Sequence, residues 1–413
     1  MKKLYIKTLF YLFAIGYSLS TEAQYAWTQK TSFPGNGRTG ASCFSIGHYG
    51  YVGCGSTASS SSSFTDWWRW DKNTNTWSQI TSYPGAAQFG CSYFAIGNKG
   101  YAGLGIKGST KATDLWSYDT TSNTWTQMAT FPGVGRYSAF AFVIGTNAYI
   151  CCGNPGAPPY RADCWKYNSV NNTWTQIADY PNTGIETNLV YSIGKYGYAG
   201  CGGNGSANTN TMYKYDTTSN TWTAIAYVPT NGSGLLCPSN FVLQDTAYSV
   251  SGGAYFSSDY INTNYTYNPN TNTWGTAARF PGIARYYSVG FSIGNFGYVT
   301  TGNDTLGNLL ADLWQYGPVS TEGINEISAG VVSMDVFPNP SSGMVNFSYS
   351  NLSSGNAKLV ITDALGRTVS TYNIGGKKGK LSADESQLSN GVYFYQLNSN
   401  GVVLTTGKLL IEK

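Results

Sequence analysis

Charge is scarce in this 413-residue chain. Asp, Glu, Lys and Arg together make 11%, against about 25% in an average soluble domain. Histidine is scarcer still, with His48 alone. A single imidazole excludes multi-histidine metal centres and leaves at most one position for histidine acid–base or triad chemistry. The net charge of +4 and a pI near 8.4 are too mild for a dedicated nucleic-acid binder. Neither a metal nor a cofactor is expected, and catalysis is the less favoured reading. What abounds is aromatic and small, with 34 Tyr, 18 Phe, 12 Trp and 50 Gly. Such a chain is too apolar to remain a disordered polyampholyte.

Residues 1–23 read as a secretory signal peptide. Lys2, Lys3 and Lys7 precede a short apolar core, Leu9–Ile15, and Thr21-Glu22-Ala23 supplies a small-residue cleavage site. The run is too short for a stable span, and no transmembrane segment is expected in the mature chain. The first cysteine, Cys43, lies too far on for a lipoprotein anchor. Export makes the eight cysteines, all before residue 240, potential disulfide partners. None has zinc-ribbon spacing.

A repeat governs residues 24–318. Trp27, Trp77, Trp125, Trp174, Trp222 and Trp274 recur every 48–52 residues, and all but Trp27 end an Asn-Thr-Trp triplet. Each unit then carries a proline, an apolar residue before a turn (Ile46 in the first), a tyrosine (Tyr51, Tyr101, Tyr149, Tyr198, Tyr248, Tyr298) and a glycine. Short apolar runs between Gly, Asn, Ser and Thr clusters predict four strands per unit. Trp27 has no third strand before it, and Trp314 has no Trp strand after it. The N-terminal strand is therefore expected to complete the sixth unit and close a ring.

This pattern resembles the kelch family of β-propellers, which implies an all-β, six-bladed, kelch-type β-propeller over 24–318. The Gly-Gly doublet of that family is intact only at Gly202-Gly203 and Gly252-Gly253. Residues 319–330 read as a linker. From 331 to 413 the texture changes to turn-separated strands suited to a small β-sandwich. Val336-Phe337-Pro338-Asn339-Pro340, Asp363-Ala364-Leu365-Gly366-Arg367, Leu388–Leu397 and the terminal Gly407–Lys413 resemble the C-terminal sorting domain of type IX secretion. That resemblance implies type IX machinery as a partner, passage through the periplasm, and a final location outside a Gram-negative cell or on its surface.

Chemistry-bearing residues are few. Residues 25–318 hold 14 basic and 12 acidic side chains, with Glu186 the sole Glu. Asp66, Asp114, Asp163 and Asp312 share a third-strand register, and Asp71, Asp119 and Asp216 stand in the following turn; both sets are expected to satisfy turn backbone. His48 falls in the tight turn of the first hairpin, on the face opposite the long variable loops. Function is expected on that variable face. Arg38, Arg136 and Arg285, with Tyr137 and Tyr286 beside them, form a register suited to an anionic group such as an acidic glycan. Loop aromatics Tyr160, Tyr255 and Phe256 are candidates for stacking on a sugar or anchoring a protein. Cys43 and Cys54 are expected to face each other across the first hairpin as a possible disulfide. The leading functional expectation is an exported binding protein for an extracellular glycan or protein. The alternative is a sugar mutarotase-like or epimerase-like enzyme at the channel mouth, using Glu186 with Arg136 and Arg285.

Overall fold

The computed structural model describes residues 25–57, 62–85, 89–186, 189–230, 234–253, 260–319, 333–350, 352, 356–399 and 402–413. The signal segment and the linker beyond Val319 lie outside them. Two compact units emerge, one ending at Val319 and one formed by the C-terminal portion. Among the described residues every regular element is a strand.

The first unit consists of six four-stranded antiparallel sheets. Blade 1 runs Ser42–Ile46, Tyr49–Gly53, Trp67–Asp71 and Thr76–Ile80. The innermost strands of blades 2 to 6 are Ser92–Ile96, Phe140–Ile144, Leu189–Ile193, Ser239–Leu243 and Val289–Ile293. Each touches the innermost strands of both neighbours, and blade 6 returns to blade 1, so the ring closes. Blade 6 takes its outer strand from the N-terminus: Tyr25–Lys30 pairs antiparallel with Leu313–Pro318, placing Trp27 opposite Tyr316.

Packing follows from alternation along short strands. In every blade an aromatic of the first strand stacks across the hairpin on the repeat tyrosine; Phe94 and Tyr101 lie 4.8 Å apart, and Phe142 and Tyr149 5.0 Å. The residue before that tyrosine must be small. A Cβ on Gly100 would stand 2.0 Å from the Phe44 ring of the preceding blade.

The Asn-Thr-Trp triplet is an inter-blade staple. Its asparagine closes the outer hairpin in the left-handed region, with φ of 53–54° at Asn75, Asn123, Asn172, Asn220 and Asn272, where Asn is tolerated better than most residues. Asn220 Oδ1 accepts both the Ala178 N–H of the preceding blade's exit (2.9 Å) and the Tyr215 hydroxyl (2.6 Å). Trp222 Nε1 then donates to the Ala178 carbonyl at 3.2 Å. Trp27 keeps only the second half, donating to Ala278 O at 2.9 Å, because its strand arrives from the N-terminus with no hairpin before it. Asn220→Ala should therefore lower stability by about 2–3 kcal/mol, from one strained backbone position and two lost hydrogen bonds. Asn220→Gly should recover the backbone part, as read by denaturant melts of both variants.

The C-terminal unit has two sheets. Three strands, Ser333–Phe337, Met344–Ser350 and Gly379–Asp384, form one; Thr368–Gly375, Asn356–Thr362, Gly391–Ser399 and Val402–Ile411 form the other. Val345 and Phe347 of the first share one core with Leu359, Ile361, Leu397 and Leu409 of the second. The motif residues stitch this unit together. Asn339 Nδ2 donates to Lys408 O and its Oδ1 accepts from Leu410 N, each at 2.8 Å. Asp363 accepts the Leu365 and Arg367 N–H groups and the Arg367 guanidinium.

Candidate functional site

The three arginines do not form an anion site. Arg38, Arg136 and Arg285 are 0–1% exposed, and each is clamped by the third-strand aspartate of its own blade. Arg285 Nη1 and Nη2 reach Asp312 at 2.7 and 2.8 Å, while Nη1 also donates to Thr301 O and Nε to Ile283 O. Arg38–Asp66 and Arg136–Asp163 repeat this geometry. The guanidinium lies over Phe33, Phe131 or Phe280, and Trp68, Trp165 or Trp314 donates to the same carboxylate. Burial alone would raise these carboxyls, but the hydrogen bonds and charge of the arginine outweigh it and hold all three below the ordinary range.

Three of the four third-strand aspartates thus serve arginine rather than turn backbone, while Asp114 accepts from Tyr83 and Trp116 instead. The expectation for turn aspartates stands at Asp71, Asp119 and Asp216, each of which accepts the N–H two residues on at 2.8 Å. His48 lies in the turn between Ile46 and Tyr49, half exposed.

Above the blades, the residue after each arginine-register position makes an isolated bridge to the strand beyond the repeat glycine. Thr39 pairs with Ser56, Phe89 with Ile106, Tyr137 with Asn154, Glu186 with Gly203, Leu236 with Gly253, and Tyr286 with Asn303. The next residue turns into the left-handed region in all five described blades, Gly40, Gly90, Ser138, Cys237 and Tyr287, with φ of 49–62°. Around the channel these residues bond to one another: Gly40 N donates to Tyr287 O, Gly90 N to Gly40 O and Ser138 N to Gly90 O. The result is a collar, hydrogen-bonded through blades 6, 1, 2 and 3. Blades 1 and 2 place glycine here, but blade 6 holds a tyrosine in the same conformation, which costs about 1–2 kcal/mol.

Tyr287 lines a cavity of about 380 Å³ with Phe89, Tyr260, Tyr286, Asn303 and Thr39, within the usual range for small-ligand sites. Tyr260 and Tyr286 stack at 5.6 Å, Tyr286 meets Tyr287 edge-on at 4.5 Å, and Phe89 meets Tyr287 at 5.0 Å. Thr39 Oγ1 donates to Asn303 Oδ1 at 2.9 Å. Every described residue lining this cavity is uncharged. The channel below holds only about 120 Å³.

At the same collar register in blade 4, Glu186 is 7% exposed; it does not itself line the cavity. Asn154 Nδ2 donates to its Oε2 at 3.0 Å and to the Tyr137 hydroxyl at 2.7 Å, and the Tyr160 hydroxyl also bonds it. Burial raises this carboxyl, only partly offset by those two donors.

Of the residues singled out from sequence, Tyr286 lies in the cavity and Tyr137 stands on the same collar. Tyr160 is a correction: it is buried, with its ring beneath Gly205 and Pro158. Tyr255 and Phe256 lie outside the described residues. Arg136 and Arg285 bind aspartates and do not join Glu186. Phe89, Tyr260 and Tyr287 were not among those singled out, although the doublet Tyr286-Tyr287 at a position where other blades have Gly, Ser, Thr or Cys was a usable signal. The Cys43–Cys54 pairing is also overturned. The hairpin turns through Gly47 and His48 alone, so Cys43 faces Val52, and both cysteines are free. The disulfide joins Cys151 to Cys164, directly opposite each other in blade 3.

No helix among the described residues is long and apolar enough to cross a membrane, which leaves strand-built spans unaddressed. No group of three or more His, Cys, Asp or Glu among them could hold a metal ion.

Comparison with known proteins agrees with this architecture. Residues 40–253, just over half of the chain, match the KLHDC2/KLHL20/DRC7 Kelch-repeats domain. Residues 335–412 match the secretion system C-terminal sorting domain. No curated protein matches the sequence. Among solved structures, one titled "Structure of YjhT" superposes with a TM-score of 0.59 at 15% identity, covering 69% of this chain and 95% of that one; at that identity the likeness concerns the fold alone. The sorting domain marks a protein secreted by, or displayed on, a Gram-negative bacterium through type IX secretion. The chain belongs to the kelch-repeat family, as an exported propeller that carries its own type IX address at the C-terminus.

Proposed function

We propose that the protein is an extracellular saccharide-binding propeller whose site is the aromatic cavity at the channel mouth. The observation that carries this reading is the convergence of Phe89, Tyr260, Tyr286 and Tyr287 on one cavity whose described lining is uncharged, with Asn303 and Thr39 at its rim. Sugar rings present C–H faces that stack on aromatic rings and hydroxyls that bond amides and alcohols, which is the lining found here. The hydrogen-bonded collar supports this by fixing the rings before a ligand arrives. Acidic glycans lose their rationale, since the guanidiniums proposed to hold them are neutralised inside the blades.

The test is a glycan array followed by calorimetry on the full mature chain. Tyr260→Ala should weaken binding by about 1–3 kcal/mol, the usual worth of a stacked ring. Tyr287→Gly should do the same while leaving the melting temperature nearly unchanged, because it relieves a strained backbone as it removes the ring. Array-wide silence, or binding that survives both substitutions, would direct attention to a protein partner instead.

A further inference from the structure

Glu186 is a buried carboxylate whose partners are all neutral. In blades 1, 3 and 6 the buried charges come in pairs, Arg38 with Asp66, Arg136 with Asp163 and Arg285 with Asp312. Among the described residues Glu186 accepts from Asn154 and Tyr160, and no ion pair reaches it. A charge taken from water without a counter-charge is costly, and its place at the register that carries the cavity's rings in blades 2 and 6 points to a ligand that supplies one.

We propose that Glu186 is the counter-charge for an amino group on the saccharide, so that the mouth selects an amino-bearing sugar over its N-acetylated or neutral counterpart. This rests on the binding reading above and names the class of sugar. Three observations converge on it. Glu186 occupies the same collar register as Thr39, Phe89 and Tyr286, all of which line the cavity. Its charge reaches the hydroxyls of Tyr286 and Tyr287, which burial and Cys237 already push up and Glu186 pushes further. The rings themselves favour a cation, since an ammonium is attracted to the face of an aromatic ring. The nearby Lys111 ammonium bonds the carbonyl of Ser109.

Asn154 then acts as a positioning residue. Its amide ties the carboxylate to the Tyr137 hydroxyl and fixes Oε2, leaving the ligand's ammonium to meet a pre-oriented acceptor.

The experiment is calorimetry of the full mature chain against three matched oligosaccharide series: glucosamine, N-acetylglucosamine and glucose. The glucosamine series should bind about tenfold tighter than the other two, the equivalent of one charge-assisted hydrogen bond. Glu186→Gln keeps an oxygen to accept from Asn154 and should bring the glucosamine series down to the level of the other two, with its melt confirming the fold. Equal binding of the three series by the unaltered protein overturns this inference and leaves the saccharide reading intact. A preference that persists in Glu186→Gln overturns the assignment to Glu186. Absence of binding to every series overturns the parent reading as well.

Discussion

A chain beginning at Thr31 is expected to lose the cooperative fold of the propeller. Removing Tyr25–Lys30 strips six residues of pairing from Leu313–Pro318 and leaves that strand as an open edge. It also removes Trp27, whose ring packs 4.9 Å from both Phe280 and Tyr316 and whose Nε1 bonds Ala278 O at 2.9 Å. Loss of a packed tryptophan alone typically costs about 3–5 kcal/mol. With the strand's hydrogen bonds added, the total approaches the whole net stability of an ordinary domain, about 5–15 kcal/mol. Calorimetric melts should show the cooperative transition lost or shifted far down, and a synthetic peptide of residues 25–30 should partly restore it. An unchanged melt would mean that blade 6 is stable with three strands.

The second large effect is Arg285→Ala, expected to destabilise by about 3–5 kcal/mol because it strands Asp312 among apolar neighbours. Blade 5 shows how the same place is filled without charge. There Leu235, Thr263 and Tyr265 stand where blade 6 has Arg285, Asp312 and Trp314. Converting blade 6 to Arg285→Leu, Asp312→Thr and Trp314→Tyr together should therefore recover most of the loss.

The pH dependence has a definite sign. Asp66, Asp163 and Asp312 have folded-state carboxyls below their unfolded value of about 3.9. Their contribution is fully present above that value and is lost as pH falls through the folded one. Arg285→Ala and the parent should thus differ most at neutral pH and converge in acid. Glu186 runs the other way, since its raised carboxyl withdraws stability as pH climbs through the ordinary carboxylate range and beyond. Glu186→Gln should accordingly melt higher than the parent at neutral pH.

The arginine, aspartate and tryptophan registers were all visible in sequence, and so was their joint variation: Arg–Asp–Trp in blades 1, 3 and 6, Ile185–Thr211–Tyr213 and Leu235–Thr263–Tyr265 in blades 4 and 5. Blade 2 is the informative exception. It lacks the arginine, and Tyr83 takes its place by sending a hydroxyl to Asp114 at 3.3 Å. Taken singly, each arginine is a free cation on a binding face. Taken with its aspartate 27–28 residues on, it is one half of a structural pair. Similarly, counting residues across the first hairpin misplaced Cys54, because the turn at Gly47 and His48 is centred one residue earlier than a turn over 47–50 and moves the partner of Cys43 two positions, from Cys54 to Val52.

Repetition is what the sequence determined by itself. Six copies of one strand pattern can bury their aromatic faces only against each other, so blade number and ring closure through Trp27 followed from spacing, and the sorting unit from the resemblance of its motif segments. The site belongs to the tertiary structure. Its rings come from blades 2, 5 and 6, Phe89 meeting Tyr260, Tyr286 and Tyr287, and no local pattern marks residues that lie nearly 200 positions apart. Only closure of the ring brings them to one mouth, and only the depth of burial decides that Arg285 is structural while its neighbour Tyr286 lines the cavity.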